Sequence, residues 1–480
     1  MFRFSLILSI IVFFSCHALL FAQARRIPPR SAGTDAAAQT SSPTDSDEKT
    51  PAAMYDDTKT YAKRKFEEFA ARKVPYSVEL REATSREQKQ LAAKYAAQLN
   101  TQNLSGEDFY YLGSLQVLAE NNDGASEAFE KYLSSPKIDD EKAQTARSLV
   151  AVTLARKRDF AAAEKYLNDY LKGAPVKVLE QTIVERELAK NYRAVKKPEK
   201  AAFYAESAVS AAQSALKDST VDARLLEEFT NVGFLLFNIY AETNANAKAE
   251  KTLNNLLETA VAKQSINLYL EAVDKLVTFL IETGRKPQAL ENLKQNQNSL
   301  QIKFRDKSAR AYITTFFKRR ENQYRLLGET APEIAIDSWV SDSGAQISMA
   351  NQRGKVVLLD FWATWCKPCF SMFPKLTEWQ ETFGQQGLQI VGVTRYYGQA
   401  DGFKADDAAE YAFLQKFKRE QRLPYALAIA KDESNHRAFA ADGIPTTILI
   451  DKKGVIRLIE TGTGFEKAIE AMIEKLLAEN

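Results

Sequence analysis

Histidine is nearly missing from this chain, with His17 and His436 the only two among 480 residues. Histidine-built metal centres and Ser-His or Cys-His nucleophilic catalysis are disfavoured from the outset. Cysteine is almost as scarce, at Cys16, Cys366 and Cys369. Cys16 falls in an N-terminal apolar stretch, so the remaining pair can serve no disulfide framework except with each other. Excess charge is missing too: 65 basic residues face 62 acidic ones, for a formal net charge of +3. Such a balance gives no field to gather nucleic acid or an anionic membrane, and both are set aside as partners. What is present is an ordinary soluble composition, 45% hydrophobic and 26% charged, in a chain long enough for two or three cores.

Residues 1–24 read as a secretory signal. Arg3 supplies a short positive start, residues 4–14 (FSLILSIIVFF) the apolar core, and Ala22-Gln23-Ala24 the small residues of a cleavage site. An uncleaved anchor is the rival, since the stretch is nearly long enough to span a bilayer, but Arg25, Arg26 and Arg30 beyond it argue against that orientation. Acylation at Cys16 is a third reading, against which Phe13-Phe14-Ser15 makes a poor lipoprotein box. The expected location is therefore outside the cytoplasm, in the periplasm or cell envelope. Residues 25–54, with Pro28-Pro29 and a long polar run, have too little apolar surface to offset chain entropy and read as a flexible linker.

From 55 to 327 Gly and Pro are few and the apolar residues recur at helical spacing. A frame repeats: a large residue, then Ala thirteen positions on and a second packing residue seventeen on. Leu112-Gly113 leads to Ala125 and Phe129, Leu149 to Ala162 and Tyr166, Leu188-Ala189 with Tyr192 to Ala201 and Ala205, and Leu276 to Ala289 and Leu293. That spacing suits two helices crossing closely where the Ala sits. The frame resembles the tetratricopeptide repeat, which implies a helical solenoid with a concave groove for a protein or peptide. A plain helical spacer or dimerisation surface is an equal alternative.

At Gly328-Glu329-Thr330-Ala331-Pro332 the character changes. Strands are expected at 356–361, 388–393, 426–430, 446–450 and 455–460, the last two joined by the turn Asp451-Lys452-Lys453-Gly454. Helices are expected at 369–383, 407–422 and 465–477, giving an α/β domain over 328–480. The polar segment 395–407 reads as a surface loop, with rimming of the site as the alternative, and His436 as a helix surface residue.

After the first buried strand comes Trp365-Cys366-Lys367-Pro368-Cys369. Thiol–disulfide exchange needs an accessible thiolate and a second thiol to resolve the mixed disulfide. A Cys-x-x-Cys at a helix start offers both: Cys366 at the exposed N-terminus, its anion favoured by free N–H groups and the helix dipole, and Cys369 one turn later. Pro368 is tolerated in the first turn and stiffens it, and Lys367 adds a nearby positive charge. Half a zinc site is the competing reading. Zinc needs two further ligands, and only His436 and carboxylates are on offer, so no metal is expected.

The same stretch resembles the thioredoxin superfamily and, within it, the exported TlpA/ResA/DsbE-type redoxins. The resemblance rests on Cys366 and Cys369, on Asp360 six residues before the first Cys, on Pro374, on Gly443-Ile444-Pro445-Thr446-Thr447, and on Ala331-Pro332-Glu333 followed by the extended 334–339. It covers residues 329–480 and implies a thioredoxin-like domain with a central mixed sheet. It further implies that Asp360 helps deprotonate the resolving thiol and that Pro445 is a cis-proline facing the cysteines. Burial among apolar strand neighbours would raise the Asp360 pKa, as suits a base near neutrality. Ile444, beside Pro445, would offer its backbone to an extended substrate chain, while Trp362 and Trp365 shape and cover the site.

Some positions depart from the family. Met372 stands where relatives devoted to cytochrome c maturation carry Glu, and the lysine that partners the buried Asp in thioredoxin has no counterpart in 388–393. A thiol peroxidase would need Pro and Thr where Leu359 and Ala363 stand. The expectation is therefore an exported thiol–disulfide oxidoreductase with catalytic Cys366, Cys369, Asp360 and Pro445, and with Trp365, Lys367, Pro368 and Ile444 meeting the substrate. It calls for no cofactor. Its partners would be disulfide-containing or thiol proteins, with a membrane-linked electron donor as a further expectation. The alternative from another class is an interaction scaffold carrying a regulatory redox domain.

Overall fold

The computed structural model describes residues 49–218, 222–341 and 348–479. The expected signal at 1–24, and all but the end of the expected linker, lie outside the described residues.

Helices joined by short turns fill the first part of the described chain. They are α1 (Pro51–Ala71), α2 (Val78–Leu99), α3 (Glu107–Leu118), α4 (Asn122–Leu133), α5 (Asp140–Lys157), α6 (Phe160–Lys172) and α7 (Val178–Ala194). Then come α8 (Pro198–Asp218), α9 (Ala223–Glu242), α10 (Asn246–Ala262), α11 (Ile266–Glu282), α12 (Lys286–Asn298), the single turn α13 (Leu300–Lys303) and α14 (Lys307–Leu326). The first helix begins inside what the sequence reads as linker, because Pro51 is well suited to an opening turn. Starts are fixed by side-chain caps. Asn121, Asp139, Asp159, Asp222 and Asp306 each accept a backbone N–H of the helix that follows.

The helices pack as hairpins, α3 on α4, α5 on α6, α7 on α8, α9 on α10 and α11 on α12. The recurring frame explains why. Leu112, Ala125 and Phe129 are all buried, as are Leu188, Ala201 and Ala205, and Leu276, Ala289 and Leu293. Each small Ala lets one helix approach the next, and each large apolar side chain taken from water contributes about 1.5–3 kcal/mol. In the second hairpin the frame sits one residue later than the sequence suggests. Val150, Ala163 and Leu167 are its buried members, whereas Leu149, Ala162 and Tyr166 are only partly covered. A further hairpin, Leu236 with Ala249 and Leu253, carries the same frame and escaped the sequence reading. It follows the 21-residue α8, whose length breaks the even spacing. Among the described residues no helix is long and apolar enough to cross a membrane.

The second part is α/β. Its strands are β1 (Ser338–Val340), β2 (Val356–Phe361), β3 (Leu388–Arg395), β6 (Ala426–Ala430), β7 (Thr446–Ile450) and β8 (Ile456–Thr461), with a small hairpin of β4 (Gln399–Ala400) and β5 (Phe403–Lys404). The helices are α15 (Lys367–Phe370), α16 (Phe373–Phe383), α17 (Asp407–Glu420), α18 (Ser434–Ala438) and α19 (Glu466–Ala478). The large sheet has the order β1-β6-β3-β2-β7-β8. Its centre, β2 with β3 and β3 with β6, is parallel, while β1, β7 and β8 join antiparallel, so the sheet is mixed as expected. Every residue of β2 is buried, as suits a strand covered on both faces.

One face of the sheet packs under α16, α17 and α19 around Leu358, Trp362, Leu376, Phe417 and Ile473. The other face is only partly closed by the α/β segment itself, where His436 of α18 and Phe439 meet Phe361. Leu359, Phe361, Ile448 and Ile459 belong to the same continuous hydrophobic cluster as Leu276, Phe317 and Tyr324 of α11 and α14. The change of character at 328 thus marks a change of secondary structure and not an edge of the core. Polar contacts sew the seam: Gly328 N–H donates to Ile456 O at 2.8 Å, and Ile456 N–H to Glu329 O at 2.9 Å. The buried Arg320 guanidinium is held by Asp274 at 2.6 Å and donates to Ile459 O at 2.9 Å.

Candidate redox site

The site grows from the exit of β2. After Phe361 the chain turns through Trp362 and Ala363, both buried, and reaches α15, for which Cys366 is the N-cap. Cys366 and Cys369 are joined as a disulfide, with Cα atoms 5.4 Å apart. Cys366 keeps 4% of its surface and Cys369 none, so the first sulfur is the one an incoming chain can reach. That is less exposure than the sequence suggests. The supply of free N–H groups also differs from expectation. Lys367 N–H donates to Trp365 O and Cys369 N–H to Cys366 O, and Pro368 has none to give. With α15 only 4 residues long, little helix dipole reaches the site. The helix stops before Ser371 and restarts at Phe373, because Pro374 cannot donate back into the preceding turn.

Asp360 lies on β2, wholly buried, and neither carboxylate oxygen has a hydrogen-bond partner. No backbone donor satisfies it. Burial pushes its pKa from 3.8 up to about 7. By strand alternation it shares a face with Leu358 and Trp362, which belong to the cluster that holds both cysteines. On the neighbouring strand, Phe361 of β2 pairs with Thr446 of β7. That register brings Ile444-Pro445, a cis peptide bond, to the sheet end from which the Cys366 loop emerges. Pro445 is buried and Ile444 partly so, while Lys367 and Pro368 are exposed.

Trp365 is 51% exposed, and its ring meets that of Tyr397 edge-on at 5.4 Å. This contact corrects the reading of 395–407 as a plain surface loop. The segment forms the β4–β5 hairpin, and the buried Glu410 carboxylate accepts the N–H groups of Tyr397, Gly398 and Gln399, fixing its base beside the site. Arg395 stacks on Tyr397 at 4.3 Å. Asp401-Gly402, both in the left-handed region, form the hairpin turn, and that dipeptide was the available signal.

His436, expected at a helix surface, is only partly exposed. It sits on α18 with both ring nitrogens buried and unpartnered, its ring 5.2 Å from that of Phe361, and burial lowers its pKa. Tyr425 is a functional candidate that the sequence did not reveal. Its hydroxyl is buried without a partner, and burial, then the charge of Asp360, raise its pKa. Met372 is buried in the same cluster as the cysteines.

A mixed sheet with a Cys-x-x-Cys turn after its central strand, a buried Asp on that strand and a cis-proline on the next define a thioredoxin-like redoxin domain. The model of the AhpC/TSA family matches residues 327–459. The thiol-disulfide oxidoreductase ResA of Geobacillus kaustophilus is 30% identical over 163 residues, which span 34% of this chain and 84% of that protein. Thioredoxin-like protein YneN of Bacillus subtilis is 31% identical over 147 residues, or 31% of this chain and 78% of that protein. A crystal structure of a thioredoxin-family thiol:disulfide interchange protein from Chlorobium tepidum covers 32% of this chain and 97% of that one at 24% identity. Its TM-score of 0.26 lends no weight. Through its C-terminal domain the chain belongs to the family of ResA-like thiol-disulfide oxidoreductases.

Proposed function

We propose that this protein is an exported oxidoreductase that exchanges disulfides in partner proteins, and that its helical hairpins are a tetratricopeptide-like scaffold that recruits them. The observation that carries the reading is the Cys366–Cys369 disulfide in the turn after β2, with the unpartnered Asp360 carboxylate on the strand beneath it. In the reduced enzyme the Cys366 thiolate attacks a substrate disulfide, forming a mixed disulfide and expelling one substrate thiolate. Asp360 accepts the Cys369 proton, and the Cys369 thiolate attacks Cys366 Sγ. The second substrate thiolate leaves, and two electrons have passed to the substrate as Cys366–Cys369 closes. An external dithiol or thiol protein must then reduce the enzyme; a membrane-linked donor would serve outside the cytoplasm. Trp365, Lys367 and Pro368 rim the attacked sulfur, and the Ile444 backbone beside Pro445 is free to run along an extended substrate.

Export rests on the apolar start of the sequence and is tested by a C-terminal alkaline phosphatase fusion, which gains activity only outside the cytoplasm. The AhpC/TSA match also admits a peroxidase, but Ala363 stands where the peroxidatic Thr is needed and Cys366 is bonded within its own turn. The redox reading is checked with insulin and dithiothreitol. The wild-type chain should accelerate insulin reduction and Cys366→Ser should not; equal rates for the two defeat the assignment.

A further inference from the structure

One hydrogen-bond chain crosses the seam between the helices and the redoxin sheet and ends in the cis-proline loop. Its members can be ordered from their protons. Thr446 Oγ1 lies 2.7 Å from Gly443 O, a pure acceptor, so the single Thr446 hydroxyl proton goes there. Thr446 Oγ1 is also 3.0 Å from Thr461 Oγ1, and with its own proton spent it must accept, so Thr461 donates. Thr461 in turn accepts from Gln323 Nε2 at 3.0 Å. The second Nε2 proton of Gln323 reaches Ala440 O at 3.3 Å, and its Oε1 accepts from Arg320 Nη1 at 2.6 Å. Arg320 is anchored by Asp274 of α11.

From Arg320 onward one line of donors points the same way, from α14 of the helical part through Gln323, Thr461 and Thr446 into Gly443. Gln323 is completely buried, so no water substitutes for a lost partner without rearrangement. The packing follows the same line. A Cβ on Gly443 would stand 3.3 Å from the Thr461 methyl, and Gly462 N–H holds Pro445 O at 2.9 Å. The loop that carries Ile444 thus runs into β7, which is held between β2 and β8, and Gln323 of the helical part reaches it through Thr461.

We infer that Gln323 is a positioning residue for the redox site, which it reaches through Thr461 and Thr446 to set the Gly443–Pro445 loop for substrate binding. The helical part would then act on the chemistry as well as on recruitment. The inference rests on the redox reading above. Chains of aligned hydrogen bonds reinforce one another, so cutting any link loosens the whole.

The test uses the full chain and insulin as substrate. Gln323→Leu and Thr461→Val should each raise KM for insulin about three- to tenfold, the effect of one buried hydrogen bond, with kcat within about twofold. Thr461→Ser, which keeps the hydroxyl, should return KM to the wild-type value. Because both changes cut one chain, the double variant should show the KM of a single variant and not the product of the two. An active wild type with unmoved KM in both variants, or with effects that multiply, overturns the coupling and leaves the redox reading standing. A wild type without insulin activity sinks both. If Gln323→Leu fails to fold, the Thr461 Val and Ser pair alone decides.

Discussion

Asp360 of β2 stands directly opposite Gly392 of β3, and the bare α-carbon of that glycine makes room for three side chains of the core. A Cβ there would fall 2.8 Å from Leu427 Cδ2, 3.0 Å from Trp362 Nε1 and 3.4 Å from the Tyr425 ring. All three are buried. Gly392→Ala should destabilise by about 1–3 kcal/mol, as overpacking in a filled core does. A shift of the denaturant midpoint at unchanged m-value measures it, and a midpoint at the wild-type value would show that these side chains yield freely.

Asp360 itself ties stability to pH. Burial raises its pKa from 3.8 to about 7, so between those values the folded protein keeps a proton that the unfolded chain has released. Stability therefore falls as pH rises from about 4 to about 7 and then levels off. Asp360→Asn should remove that loss. The variant should be more stable than wild type by roughly 2–4 kcal/mol above pH 7, and the two should converge below about pH 4. Glu460, pushed up to about 7 by burial while Arg320 pulls the other way, leaves a residual slope in both. The same variant should accumulate mixed disulfide, since nothing then accepts the Cys369 proton. Parallel urea melts at several pH values check the first point and non-reducing gels the second.

Two helical glycines separate close packing from mere proximity. A Cβ on Gly113 would meet three atoms of the buried Phe129 ring at 2.7–2.9 Å, whereas one on Gly233 would meet the end of the flexible Leu256 side chain at 2.5 Å. A ring with no free rotamer cannot step aside; a leucine methyl can. Replacing a helical Gly by Ala gains about 1 kcal/mol in propensity. Gly113→Ala should therefore be net destabilising by about 1–2 kcal/mol and Gly233→Ala near neutral. Thermal melts that reverse this order would contradict the packing account.

Arg320 is the charged centre of the seam, held to Asp274 at 2.6 Å and set over the Tyr324 ring at 5.0 Å. Arg320→Met keeps most of the volume but takes the cation from the Asp274 carboxylate, which keeps the Tyr324 hydroxyl at 2.6 Å. The expected cost is about 2–4 kcal/mol, below that of a fully buried pair because the Asp274 side chain is 25% exposed. Asp274→Asn with Arg320→Met should recover part of it. A double variant no better than the single would show that the loss is one of packing.

Much of this was legible because it was local. The strands announced themselves as short apolar runs, and the redox turn as a dithiol spacing with no other ligand to hold a metal. The hairpin boundaries were harder to read because the left-handed turn residues are Glu120, Arg158, Lys196 and Asn244, where glycine would have been the usual marker. The offset of one position between Leu149 and the buried Val150 is hidden in the sequence because the helix is apolar at both. Asp401-Gly402 marks a hairpin turn, but the polar residues around it hide the two short strands that it joins. Gln323 and Tyr425 could not have been found. The hydrogen bond from Gln323 to Thr461 spans 138 positions, and the unpartnered Tyr425 hydroxyl has meaning only once the fold brings Asp360 near it.

The shared core has a consequence for anyone who wishes to study the redox unit by itself. A fragment beginning at Gly328 would contain every residue that resembles a free-standing redoxin, yet it would lose the α11 and α14 side of the cluster that holds Leu359, Ile448 and Ile459. Such a fragment should bind hydrophobic dyes and self-associate, whatever its chemistry. The smallest soluble redox unit of this chain should therefore begin upstream of α11, with α11 and α14 retained as the cover of its sheet.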